Sequence, residues 1–271
     1  MKIAYLGPKD SYSYLAASGF LGDGVKLCEY PTITNALLSV GNGCDAAFVP
    51  YENSSEGTVS DTIDTLIKEK LFIVREYDLK IDNRLITLKG AELSKIKKIV
   101  THRQPYGQCR GYISQNYKTA DIVFCDSTSA AAAVITDNYT AAIGGLQLLK
   151  SNSHLAASDF TINDQKENRT RFILVSDKAA ADKQNDRTTV VFESENKPGG
   201  LLSLLSVFEK YNINLTKIES RPRKESVGRY LFIVDITGGA ADENISLALK
   251  EIESKTVFYK YLGSYFTGFF L

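Results

Sequence analysis

Asn168-Arg169-Thr170-Arg171-Phe172-Ile173-Leu174-Val175 joins an amide, a hydroxyl, two guanidinium groups and an aromatic ring to an apolar run. A strand alternates its side chains between two faces, so an extended segment here points Asn168, Thr170 and Phe172 the same way. That aims an amide and a hydroxyl at one ligand. Taken alone, the first five residues favour a plainer reading, a loop feeding an edge strand with Arg169 and Arg171 solvated. The rest of the chain shifts that balance.

Upstream, short apolar runs alternate with helix-like stretches. Lys2 to Leu6, Lys26 to Glu29, Ala46 to Val49, Leu71 to Tyr77, Ile99 to Thr101, Ile122 to Cys125 and Ala141 to Ile143 read as strands. Helices are expected over 12–20, 32–40, 58–69, 105–116 and 128–138. This alternation predicts α/β layers around a largely parallel sheet. Downstream, residues 178–186 lack an apolar period and read as a linker. Beyond it come a strand (188–193), a helix opened by Lys197-Pro198-Gly199, two strands (212–220 and 229–237, with Gly228 in the turn), a helix (242–253) and a last strand (258–266). That order, βαββαβ, is the ferredoxin-like arrangement.

At 271 residues, with 44% hydrophobic and 24% charged residues, the chain suits two globular domains. Its 32 basic and 32 acidic residues cancel, which argues against nucleic acid or an anionic membrane as partner. No run approaches the ~18 apolar residues of a membrane span. The first residues enter a strand without a signal-peptide pattern, so a soluble cytoplasmic protein is expected. Cys28, Cys44, Cys109 and Cys125 are scattered, and His102 and His154 are the only histidines, so no metal site is expected. Glycine-rich nucleotide fingerprints and a G-x-S-x-G elbow are missing from the sequence.

Four loops at strand ends carry small polar residues, and in an open α/β sheet such loops gather at one cleft. Gly7-Pro8-Lys9-Asp10-Ser11 leads into the first helix, where Ser11 can cap the helix or bind a carboxylate. Glu52-Asn53-Ser54-Ser55-Glu56-Gly57-Thr58 holds more polar groups than a capping box requires, and function is favoured there. His102, in Thr101-His102-Arg103-Gln104, is either a proton donor or a hydrogen-bonded anchor. Asp126-Ser127-Thr128-Ser129 is the fourth loop.

Together these segments resemble the prephenate dehydratase family, nearly end to end. Gly7-Pro8 with Tyr12-Ser13 resembles G-P-x-G-T-[YF]-S. Val49-Pro50 with Glu52-Asn53-Ser54 and Gly57 resembles V-P-x-E-N-S-x-x-G. His102, Gln104 and Gln108-Cys109 resemble H-P-Q-x-x-x-Q-C, and Asn168, Thr170, Arg171 and Phe172 match N-x-T-R-F. Pro198-Gly199-Gly200-Leu201 resembles P-G-A-L of an ACT domain, and Glu219-Ser220-Arg221-Pro222 matches E-S-R-P. Asp10, Ser11, Arg103 and Gly200 depart from the family's glycine, threonine, proline and alanine.

The resemblance implies a two-lobed, periplasmic-binding-protein-like catalytic domain with a cleft over residues 1–177, its lobes roughly 1–77 plus 155–177, and 78–154. An ACT domain follows over 187–271. It implies the decarboxylative dehydration of prephenate to phenylpyruvate, without a cofactor, in phenylalanine synthesis. Thr170 is the expected catalytic hydroxyl. Ser11, Glu52, Asn53, Ser54, Gly57, His102, Gln108, Ser129, Asn168, Arg171 and Phe172 are the expected substrate-binding residues, with Arg171 the cation for a carboxylate and Phe172 packed under the ring. L-phenylalanine is the implied effector, held by Pro198, Gly199, Gly200, Leu201, Leu202 and Glu219 to Pro222 where two ACT domains meet in a homodimer or homotetramer. Arogenate dehydratase and a non-catalytic amino-acid sensor are the alternatives.

Overall fold

The structure is a computed structural model that describes residues 1–22, 24–180, 184–223 and 228–270, without the side chains of residues 269 and 270. Positions 181–183 of the expected linker lie outside the described residues.

The chain opens with β1 (Lys2–Leu6), α1 (Tyr12–Leu21), β2 (Lys26–Tyr30), α2 (Ile33–Leu38), β3 (Ala46–Asn53), the two-residue β4 (Gly57–Thr58), α3 (Ser60–Lys68) and β5 (Phe72–Lys80). It then crosses into a second lobe of β6 (Arg84–Leu88), β7 (Lys98–Thr101), α4 (Arg103–Gln108), α5 (Arg110–Asn116), β8 (Asp121–Phe124), α6 (Thr128–Ala133), β9 (Thr140–Gly144), α7 (Leu148–Ser151) and β10 (Leu155–Ala157). The return crossing leads to β11 (Arg169–Ser176), inserted between β3 and β5 of the first lobe. Two lobes joined by two crossings make the expected cleft architecture.

The sheets are mixed, where a largely parallel arrangement was expected. β1 runs parallel to β2 and β3, but the returning β11 is antiparallel to both of its neighbours. In the second lobe, β6 is antiparallel to β9 and β10. A chain that leaves a sheet at one end of a strand and comes back at that same end must run the other way. Residues 155–157, assigned to the first lobe on sequence grounds, pair in the second sheet, and residues 78–80 belong to β5 in the first. The helix expected over 105–116 breaks at Cys109 (φ −123°, ψ 9°), and the one expected over 128–138 stops at Ala133.

The C-terminal unit comprises β12 (Arg187–Glu193), α8 (Gly200–Lys210), β13 (Leu215–Pro222), β14 (Tyr230–Thr237), α9 (Glu243–Lys255) and β15 (Phe258–Phe270). Its order is the predicted βαββαβ. One face of this sheet buries Val190, Phe192, Val234 and Ile236 against Leu204, Phe208, Leu249 and Ile252 of the two helices. The other face packs Val191, Ile233, Leu262 and Tyr265 against Tyr51, Ile63, Leu66 and Ile73 of the first lobe, so the two units share a core. β15 also continues past β12 to pair in parallel with β5, joining both sheets. Where it crosses, Gly263 lies so close to β5 that a Cβ would sit 2.2 Å from the Ile73 carbonyl oxygen, at φ 136°, a place only glycine fills without strain.

Candidate functional site

Thr170 and Asn53 are directly opposed in the β11–β3 register, and both face a cavity of about 200 Å³ between the lobes. The first lobe lines it with Tyr12, Ser13, Pro50, Asn53, Thr170 and Phe172, the second with Gln104, Pro105 and Gln108. Among the described residues no charged side chain lines it. Phe172 is 2% exposed and stacks on Phe48, with centroids 5.3 Å apart.

A chain of amides sets the polarity of this cavity, and a backbone N–H fixes its direction. The Ser55 N–H donates to Asn53 Oδ1 at 2.9 Å. Asn53 must therefore present its Nδ2, which donates to Thr170 Oγ1 at 2.9 Å and to Asn168 Oδ1 at 3.0 Å. Asn168 in turn donates from Nδ2 to Gln108 Oε1 at 2.9 Å. Thr170 thus accepts with its oxygen and keeps its own O–H for the cavity, and Gln108 accepts with its carbonyl and keeps its Nε2 hydrogens for it. Asn53, Asn168 and Thr170 are all buried, so competition from water is small.

Ser11, Ser54, Gly57, His102 and Ser129 do not line this cavity; they cap helices, shape a turn or tie neighbouring segments together. Ser11 caps α1, accepting from the Tyr14 N–H at 3.2 Å. His102 caps α4 through Nδ1, accepting from the Gln104 N–H at 3.3 Å, the anchoring role. Ser54 accepts from the Arg169 N–H at 2.9 Å, tying the β3 turn to the start of β11. Gly57 takes φ 81° in the β3–β4 turn. Ser129 reaches across the lobes to donate to the Lys9 carbonyl at 3.1 Å. Asp10 adopts φ 67°, a left-handed conformation that Asp tolerates, and its carboxylate accepts from Ser151 of the second lobe at 2.6 Å.

Arg171 and Glu52 were expected at the substrate, and the structure places them on the opposite face of the sheet. The alternation that turns Thr170 into the cavity turns Arg171 out of it, toward the C-terminal unit. The register shifts between Arg171 and Phe172, which pair with Glu52 and Pro50, so Tyr51 is the extra residue of a bulge that lets Tyr51 and Glu52 share that outer face. There Arg171 donates to Glu52 (2.6 Å), Glu76 (2.6 Å) and Asp235 of β14 (3.0 Å), and its guanidinium lies 5.2 Å from the Tyr51 ring. Arg187 pairs with Glu76 at 2.6 Å, and Lys217 pairs with Glu52 at 3.2 Å. Burial opposes the charge on Arg171, but Tyr265, Asp235 and Glu76 raise its pKa above the ordinary arginine value. Burial likewise opposes ionisation of Glu52, yet Lys217 and Arg171 hold its carboxyl below the usual carboxylate range.

The nominated effector residues divide. Glu219 meets Thr58 and Lys217, and Arg221 pairs with Asp64 of α3 at 2.8 Å, so both face the first lobe. Pro198, Gly199, Leu202, Ser220 and Pro222 are exposed, and Leu201 is half-buried. Gly199 takes φ 76° ahead of α8, and Gly200 is held where a Cβ would lie 2.2 Å from the Glu195 carbonyl oxygen.

Tyr12, Ser13, Asn83 and Gln104 were not nominated. Tyr12, Ser13 and Gln104 stand inside motifs already quoted, whereas Asn83 lies in no recognisable motif. The Cys109 thiol, pushed up to about 12 by burial, is a poor nucleophile at neutral pH.

Fold and cavity define a two-lobed α/β domain with an interlobe cleft, joined to a ferredoxin-like βαββαβ module. The family profile described as "Prephenate dehydratase" matches residues 3–180, and that of the ACT domain matches 188–254. The chain is 36% identical to a prephenate dehydratase of Methanocaldococcus jannaschii, covering 97% of each, and 33% identical to one of Bacillus subtilis, covering 98% of each. A solved prephenate dehydratase of Arthrobacter aurescens, in complex with L-Phe, superposes with a TM-score of 0.86 at 33% identity over 98% of this chain and 90% of that one. The chain belongs to the prephenate dehydratase family and carries an ACT domain. No helix of the described residues is long and apolar enough to cross a membrane.

Proposed function

We propose that the cleft converts prephenate to phenylpyruvate, with L-phenylalanine as feedback effector at the ACT domain of a cytoplasmic homodimer or homotetramer. The observation that carries the reading is the Asn53 to Thr170 hydrogen bond, which commits the Thr170 oxygen as acceptor and leaves its O–H as a donor into the cavity. In the reaction the ring carboxylate's C–C bond breaks to release carbon dioxide. Its electron pair enters the ring, the C–O bond breaks, and the departing hydroxide takes the Thr170 proton to become water; solvent then restores a proton to the threonine oxygen. Aromatisation drives the step, so the protein has to hold the ring and assist the leaving oxygen.

A threonine hydroxyl stays protonated at neutral pH without a tuned pKa, which suits Thr170 to donate to that oxygen. Gln108 Nε2 supplies a neutral donor for a carboxylate, and Phe172 a flat apolar wall for the ring. A cavity without a lining cation fits this chemistry, because a carboxylate about to leave as carbon dioxide gains nothing from strong ground-state binding. The ACT reading is supported by the L-Phe complex of the Arthrobacter relative and by Leu202 and Ile218, exposed at 67% and 46%, which a second ACT domain would cover.

Incubation of the pure protein with prephenate, followed by phenylpyruvate absorbance in alkali, tests the activity. Formation of phenylpyruvate is the expected result; binding of prephenate without product would favour a sensor.

A further inference from the structure

Asn83 sits where the chain first crosses from β5 to β6, and it is fully buried. Hydrogen bonds from both its backbone and its side chain, one of them to Cys109, tie it in place. Its backbone N–H donates to Asn163 Oδ1 at 2.7 Å, and its carbonyl accepts from the Ile162 N–H at 2.8 Å, so the two crossing segments are sewn together. Its Oδ1 is the longer, 3.3 Å partner of the Tyr12 hydroxyl, which also donates to the neighbouring Asp82 carbonyl at 2.8 Å, and its Nδ2 donates to Gln108 Oε1 at 2.9 Å. One buried amide therefore joins α1 of the first lobe to α4 of the second.

We propose that Asn83 is a positioning residue for substrate binding, setting the Gln108 amide so that its N–H₂ group, and not its carbonyl, meets the substrate's carboxylate. Gln108 Oε1 has two lone pairs, and Asn83 and Asn168 both donate to it, each at 2.9 Å. A flipped Gln108 would set its N–H₂ against two other N–H₂ groups and turn a carbonyl toward an anion. Asn168 alone leaves one lone pair and a rotational freedom that Asn83 removes. Anchoring the crossings would need only Asn83's backbone groups, so the side-chain bond to Gln108 is the part that bears on the ligand.

The inference rests on the reading of the cleft as a prephenate site, and steady-state kinetics on the full chain separates the two. Asn83→Leu and Asn83→Asp remove the donor to Gln108 and are expected to raise KM for prephenate by about 10- to 100-fold, the worth of a hydrogen bond to a charged group. Their kcat stays within about threefold, because Thr170 is held by Asn53 and not by Asn83. Asn83→His offers one ring donor and one ring acceptor, and brings KM back to within about threefold of the unaltered chain. A purely structural role would lower the melting temperature and leave KM of the folded protein unchanged. Should Asn83→Leu not fold by circular dichroism, Asn83→Asp, of nearly equal size, decides. Folded Asn83→Asp protein with an unaltered KM overturns the inference alone. An unaltered chain that never turns over prephenate overturns the functional reading and this inference with it.

Discussion

Asn53 Nδ2 lies 2.9 Å from Thr170 Oγ1, with the two residues facing each other across neighbouring antiparallel strands. One position along, Arg171 is paired with Glu52 in the same register and faces the other way. The sheet thus carries the cavity's hydroxyl on one face and the contact with the ACT domain on the other.

Asn53→Asp tests the direction of the amide chain. A carboxylate can only accept, so the Thr170 hydroxyl would donate to it instead of to the substrate. We predict that kcat falls by about 100-fold or more, within the range of lost acid assistance. A kcat within fivefold of the unaltered enzyme would show that the orientation does not matter.

Arg171→Met tests the outer face. It leaves Glu52, Glu76 and Asp235 converging on a site without the cation that all three contact. Breaking a buried ion pair by removing one partner costs about 3–5 kcal/mol, and urea unfolding should show a loss of that size. A loss under about 1 kcal/mol would show that the network is solvated.

Acid should weaken the same contact. The folded-state pKa of Glu52 is depressed, so its contribution to stability is complete above the unfolded value near 4.5 and is lost as pH falls through the lower folded value. Unfolding followed from pH 6 to 2 should therefore fall more gently below about 4.5 in Glu52→Gln than in the unaltered protein. Identical slopes would remove Glu52 from the account.

The Thr170 hydroxyl and the Gln108 amide face the cavity as donors, which favours a keto acid over its amino analogue. Thr170 and Gln108 both present hydrogens, and no carboxylate among the described residues lines the wall to receive an ammonium. We predict a kcat/KM for prephenate at least about tenfold above that for arogenate, the scale of one unmatched polar group. Equal values would contradict the assigned polarity.

Much of this could be read from the chain. Period-two alternation put Asn168, Thr170 and Phe172 on one face, and the polar loops after β1, β3 and β7, though not the fourth after β8, lead into residues that line the cavity. The same alternation turns Arg171 away, but an arginine beside a carboxylate-binding motif invited the wrong role. Its partners Glu76 and Asp235 stand 95 and 64 residues away, with no local signal linking them. Asn83 was illegible for the same reason: it precedes the five-residue β6, too short to register as periodic, and its partners come from α1, α4 and the return crossing. The sharing of β15 between two sheets was hidden too, since its end reads only as more of one strand.

Replacement of Thr170 by valine tests the central claim most directly, since valine keeps the shape of the side chain and removes only the hydroxyl. The account predicts that Thr170→Val folds and binds prephenate but loses kcat by about 10²- to 10⁴-fold, or roughly 3–5 kcal/mol of barrier. A folded Thr170→Val enzyme with near-normal kcat would contradict it.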